Sequence, residues 1–183
     1  MSRAFHYTCS VSSQLSYPLK RFEQLVDRIL QDAKGWRRWG FSFVPHRQSE
    51  RAKLRKTYKG QYLNIQLEEN AVISQWGSDF DGMSVANCGT NQVSINVDQW
   101  IGGAKPNPSD PVSGMRRRDY RIYVILHEVG HILSRCHHED HKSCTAGPAP
   151  VMLQQTNGVG KCTPNPWPLS GIDNVLAEKA RPL

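Results

Sequence analysis

Apolar and polar positions follow two rhythms along the chain. Phe22, Leu25, Val26, Ile29 and Leu30 recur at the i, i+3, i+4, i+7 spacing of one helix face. Ser16-Tyr17-Pro18 offers a cap and a first-turn proline, and Gly35 a stop. The spacing therefore predicts an amphipathic helix over about residues 18–34. Short alternating runs predict strands at Phe41–Val44, at Tyr62–Leu67 with Leu63, Ile65 and Leu67 on one face, and at about 92–97. Ala71–Gln75 reads as a further strand. Residues 46–60 read as a loop or exposed basic ribbon, and 77–92 and 101–114 as loops rich in turn formers. A second long helix is expected over Arg116–Ser134, with Gly130 its one breaker. Residues 136–171 read as irregular chain. Ser170 and Asp173 have capping-box spacing and predict a last short helix over about 171–180. Helix, strands, helix, long loop and helix make an α+β fold with one sheet and segregated helices.

Length and composition narrow the classes. A chain of 183 residues suits one domain spanning 1–183. No apolar run approaches the ~18–20 residues of a membrane helix, so no membrane partner is expected. The first residues, MSRAFHYTCSVSSQLSYP, have no apolar core of a signal peptide. The protein is then either cytoplasmic or secreted behind a leader outside this chain. Five cysteines give no dense disulfide framework.

Charge and histidine are both uneven. The formal net charge is +7, yet residues 1–60 hold 13 basic and 4 acidic side chains while the rest is slightly acidic. Five of the seven histidines lie between His127 and His141. Arg47, Arg51, Lys53, Arg55, Lys56 and Lys59 could meet a phosphate backbone or an acidic substrate, but such a run is more often a solvated face. It lacks the interleaved aromatics of single-strand binders, so nucleic acid is not the expected partner. Arg116, Arg117 and Arg118 oppose the dipole of the second long helix, so they either precede its first turn or pair with Asp119 and other acids. The five tryptophans, Trp36, Trp39, Trp76, Trp100 and Trp167, are expected in the core.

Residues 127–131 read His-Glu-Val-Gly-His. On a helix, positions i and i+4 share a face, so both imidazoles can reach one ion with a carboxylate beside them. The pentapeptide alone also occurs by chance on surface helices. Three features add to it here. His137 follows His131 by six residues, Pro150-Val151-Met152 lies downstream, and the apolar run Ile122–Leu126 leads into the motif.

These residues resemble the metzincin zinc peptidases, whose signature is HExxHxxGxxH followed by a Met-turn. The stretches GFSFVP, QVSINVDQW, YRIYVILHEVGH, APVMLQQT and CTPNPWP are similar to a bacterial metzincin-like family of unknown function, over about 35–169. The resemblance implies one catalytic Zn²⁺ held by His127, His131 and His137, Glu128 as general base, and Met152 as an apolar floor. It implies a small twisted mixed sheet in an upper part of about 1–137. A lower, irregular part of about 138–183 would carry the Met-turn. A peptide substrate would lie extended between them, paired to an edge strand.

One position departs from the signature. The metzincin glycine is Ser134 here. Glycine there leaves the helix with positive φ, and serine would do so at a cost of ~1–2 kcal/mol. His141 and His138 are the spare third ligands, and a zinc class with a later glutamate would nominate Glu178. A second zinc set, Cys136, His138, His141 and Cys144, is also open. Cys144 and Cys162 bracket Met152. A disulfide between them would stabilise by ~3 kcal/mol in the entropy model, and two free thiols are the alternative. Cys9, Cys88 and Cys136 have no pairing readable from spacing. Residues 1–15 have no assigned element, and whether they cover the zinc as an inhibitory segment is left open.

The leading expectation is a zinc-dependent metalloendopeptidase acting on proteins or peptides, assumed monomeric. The competing readings are a zinc-stabilised binding module without turnover and a basic nucleic-acid-binding protein.

Overall fold

Five strands pair into a mixed sheet in order β2-β1-β3-β5-β4. They are β1 (Arg3–Val11), β2 (Phe41–His46), β3 (Tyr62–Glu68), β4 (Val85–Asn87) and β5 (Gln92–Asn96). All neighbours run parallel except β4, which lies antiparallel on β5 at one edge. A computed structural model describes residues 3–103, 114–134, 144–169 and 173. The expected α+β class with a mixed sheet is what this structure has. The chain divides into two compact units, Met1–Val97 and Asp98–Leu183.

In the first unit, helix α1 (Leu19–Gln31) packs on β1 and β2. Its Phe22, Val26, Ile29 and Leu30 are buried, as the periodicity predicts. It ends at Gln31, short of residue 34, and Asp32 turns the chain by accepting the Lys34 N–H at 2.8 Å. The Tyr7 hydroxyl donates to Asp27 at 2.8 Å, so the Tyr7 face of the sheet meets α1. Phe5, Tyr7 and Cys9 in β1, Leu63, Ile65 and Leu67 in β3, and Val93 and Ile95 in β5 are all buried. Cys9 is a free thiol, pushed up in pKa by burial and then by Glu23 and Asp27, so it is a poor nucleophile.

The alternate positions are polar: Thr8, Ser10, Asn64, Glu68, Ser94 and Asn96 are buried, and Gln66 and Gln92 half-buried. Thr8 stands beside Asn64, Asn64 beside Gln92, Ser10 beside Gln66, Gln66 beside Ser94, and Glu68 beside Asn96. Thr8 Oγ1 donates to Asn64 Oδ1 at 3.1 Å, and Ser10 Oγ to Gln66 Oε1 at 3.3 Å. Gln66 Nε2 donates to Glu68 at 2.5 Å and Gln92 Nε2 to Gln66 Oε1 at 3.4 Å. Buried amides and hydroxyls are stable only when paired in this way.

Several expectations change. Residues 1–15 contain β1, an interior strand of the sheet. Residues 46–60 contain helix α2 (Arg51–Thr57), built from good helix formers around one buried residue, Leu54. One buried apolar side chain in two turns leaves no periodic signal. Ala71–Gln75 is not a strand: helix α3 (Asn70–Ile73) buries Ile73 and leaves Val72 exposed. The loop read over 77–92 contains β4. Of the tryptophans, Trp36 and Trp100 are buried, Trp39 and Trp167 half-buried, and Trp76 is exposed. The last helix expected over 171–180 lies outside the described residues apart from Asp173.

A histidine pair joins β1 to β2. His6 Nδ1 and His46 Nε2 are 2.8 Å apart, the Tyr58 ring stacks on His6, and Glu50 lies 3.8 Å from His46 Nδ1. Burial, and then the charge on His46, lower the His6 pKa below 6.5. The unfolded chain therefore binds this proton more readily than the folded one. The pair's contribution is present above pH 6.5 and is lost as pH falls through the lowered folded value. Thermal melts at pH 7.5 and pH 5.5 should show a smaller acid-induced drop in His6→Gln than in wild type. Equal drops in the two proteins would remove His6 from the account.

Candidate metal centre

The second unit is organised around helix α5 (Arg117–Leu133). Tyr120, Tyr123 to Gly130, Ile132 and Leu133 are all buried, so the helix is enclosed on nearly every side along its second half. Arg116 precedes the first turn, with ψ at 145°, and Arg117 and Arg118 lie within it. Arg121 Nε donates to the Trp100 carbonyl at 2.7 Å and its guanidinium lies over the Trp100 ring. This tethers α5 to α4 (Val97–Gly102).

His127 and His131 lie on consecutive turns with Nε2 atoms 3.3 Å apart and ring planes at 89°. His127 Nδ1 is 2.8 Å from the Val151 carbonyl, which can only accept. The proton of a neutral His127 therefore sits on Nδ1, and its Nε2 lone pair faces His131. Two zinc–nitrogen bonds of about 2.0–2.1 Å at a tetrahedral angle separate their nitrogens by about 3.3–3.4 Å. The two imidazoles thus stand at a spacing that fits a shared zinc. A histidine ligand whose other nitrogen donates to a carbonyl is the usual outer-shell arrangement. Glu128, the next residue, is 5% exposed, and His131 is half-buried.

The chain from 144 to 169 builds the floor under His127. Cys144 and Cys162 form a disulfide, with Cα atoms 5.8 Å apart, closing the loop that contains Met152. A cysteine in a disulfide has no thiolate to offer, so the alternative zinc set that included Cys144 is ruled out. Ala149, Leu153, Val159 and Cys162 form a small core within the loop. Gln155 is buried and crosslinks it, donating to the Pro150 and Asn165 carbonyls at 3.0 and 2.7 Å. The Tyr123 hydroxyl donates to the Leu153 carbonyl at 3.0 Å and accepts the Gln155 N–H at 2.9 Å. Tyr123 is one turn before His127, and their rings lie 5.2 Å apart.

Asp173 completes the turn at Val151-Met152. Its carboxylate accepts the N–H groups of Val151 at 3.3 Å, Met152 at 3.4 Å and Leu169 at 2.6 Å. Met152 is fully buried. The backbone that holds His127 is therefore itself held by a buried carboxylate. Tyr123, Gln155 and Asp173 are site-supporting residues that the motif reading did not find. The i−4 spacing of Tyr123 from His127 was the available signal.

Ser134 takes φ −88° and ψ 0°, so the left-handed exit considered for it does not occur. Its Oγ instead donates to the His131 carbonyl at 2.9 Å. Among the described residues, no three His, Cys, Asp or Glu side chains gather closely enough to hold an ion unaided. His137, with His138, His141, Cys136 and Glu178, lies outside the described residues.

Removing the carboxylate in Asp173→Ala leaves two buried N–H groups of the turn without this acceptor. The expected cost is about 2–4 kcal/mol in urea unfolding, with faster proteolysis within 144–169. A loss below about 0.5 kcal/mol would mean that the turn does not rest on Asp173.

No curated protein and no solved structure matches the chain. Residues 1–165 match the family described as "Protein of unknown function (DUF3152)", and the chain belongs to that family.

Proposed function

We propose that the protein is a zinc-dependent metalloendopeptidase with a metzincin-like catalytic domain. The observation that carries this reading is the pair of Nε2 atoms 3.3 Å apart, with His127 oriented by the Val151 carbonyl. The neighbouring Glu128 and the buried Met152 turn support it. In this proposal His127, His131 and His137 hold the ion. Zinc, when bound, supplies a Lewis acid and a water that ionises near neutral pH.

The chain's own residues do the rest. Glu128 accepts the proton of the attacking water and returns it to the leaving amine, which breaks the peptide bond without a covalent intermediate on the enzyme. Glu128 is buried next to His127, beside the ion the motif would hold. Val151 fixes the tautomer of His127, and Asp173 fixes Val151. Met152 is an apolar filler under the imidazoles rather than a ligand. The Cys144–Cys162 disulfide favours an oxidising compartment for the working protein.

Metal analysis and peptide-library cleavage on wild type, Glu128→Gln and His131→Ala test this reading. Wild type should hold one zinc and cleave. Glu128→Gln should retain zinc and lose cleavage by about 10²–10⁴-fold. His131→Ala should lose both. Zinc retained by a wild type that cleaves no member of the library would indicate a binding module without turnover. Undiminished cleavage by Glu128→Gln would overturn the mechanism.

A further inference from the structure

The basic run at residues 47–59 is not one uniform face. Arg51 and Arg55 are four residues apart on α2 and share one side of it. They line a cavity of about 230 Å³ in the first unit, whose other walls include Tyr62 and Asn64 of β3, Gln92 of β5, and Trp76. Lys53, Lys56 and Lys59 do not line it and are exposed.

Three features of the cavity point the same way. No acidic side chain lines it. The Arg51 guanidinium donates to a neutral acceptor, Gln92 Oε1, at 3.4 Å, and neither arginine has an ion-pair partner among the described residues. Both guanidiniums reach the Tyr62 phenol electrostatically, where they oppose the effect of its burial. Two positive forks therefore line one concave surface with no acidic side chain among its walls.

The floor is preorganised. Asn64 is 2% exposed and is held by Thr8, whose hydroxyl is also 2.6 Å from Tyr62 Oη. Asn64 Nδ2 reaches Gln92 Oε1 at 3.5 Å, and Gln92 Nε2 reaches Ser94 Oγ at 3.4 Å. These are the same polar rows that cross the sheet, and Asn64 and Gln92 carry them into the cavity. Trp76 also lines the cavity and is 40% exposed, so an aromatic surface is open to a ligand there.

We propose that this cavity binds a small oxyanion, a carboxylate or a phosphate group, carried on a compact planar apolar moiety that lies against Trp76. Guanidinium forks match both oxyanions bidentately. The volume lies below the roughly 300–1,000 Å³ of pockets that take drug-sized ligands. It admits one such group and not a nucleic-acid strand. All of the cavity's lining residues belong to the first unit, and the proposed binding does not rest on the metal centre or on peptidase activity.

Titration calorimetry and tryptophan fluorescence on the full chain test this. The probes are phenyl phosphate, phenylacetate, inorganic phosphate, the neutral benzyl alcohol and a single-stranded oligonucleotide. Saturable binding of phenyl phosphate or phenylacetate at one site is expected, with none for benzyl alcohol. The stronger of the two anions identifies the phosphate or carboxylate source. Arg55→Gln, an exposed change that folding should tolerate, should weaken binding roughly tenfold, and Arg51→Gln with Arg55→Gln should abolish it. Trp76→Ala should weaken the aryl probes and leave inorganic phosphate unchanged. Lys53→Gln with Lys56→Gln should leave small-anion affinity as in wild type. No saturable binding of any small anion at millimolar concentration would overturn the proposal. So would equal affinity in Arg55→Gln and wild type, or binding of the oligonucleotide alone.

Discussion

A neutral imidazole donates from one nitrogen and accepts at the other. His127 commits its donor to the Val151 carbonyl, so everything about its Nε2 follows from where that carbonyl is held. The carbonyl belongs to a turn whose N–H groups are gathered by Asp173, inside a loop closed by the Cys144–Cys162 disulfide and braced by Gln155. Tyr123 then ties the same loop to α5 one turn before His127. Helix and loop thus specify each other. The imidazole pair is presented by a helix that could form in many settings, but its orientation comes from chain about twenty residues downstream.

This split explains which parts of the site could be read beforehand. The His127–His131 pairing is local and rests on helical spacing, so a five-residue pattern carries it. The Val151 contact uses a backbone carbonyl, which leaves no mark in a sequence. Asp173 carried a local signal, a capping-box spacing with Ser170, which pointed to a helix start. Its long-range work on Val151 and Met152 has no sequence pattern. Ser134 shows the reverse case. A family pattern suggested a special backbone conformation, and the serine instead takes an ordinary one with its hydroxyl turned back on the helix.

The fold divides along similar lines. α1, α5, β3 and β5 have dense apolar periodicity and were legible. β1 has the same alternation, with Phe5, Tyr7 and Cys9, but its intervening His6, Thr8 and Ser10 resemble a solvated N-terminus. They are polar because they pair across the sheet. α2 was illegible because a single leucine anchors it. In both places the first unit relies on polar contacts more than its hydrophobic pattern suggests, and the same polar rows run out into the arginine-lined cavity.

Those rows have a consequence for how the strands find their alignment. An apolar face tolerates a slide of two residues, because every second position is again apolar. A polar row does not. If β1 slid by two against β3, Thr8 would face Gln66 in place of Asn64, and Tyr62 would lose its partner hydroxyl. Each misplaced amide or hydroxyl would be buried without a mate, at about 1–3 kcal/mol apiece. The hydrophobic face favours collapse in several alignments. The polar face penalises all but one, and so acts as a proofreading layer within the sheet.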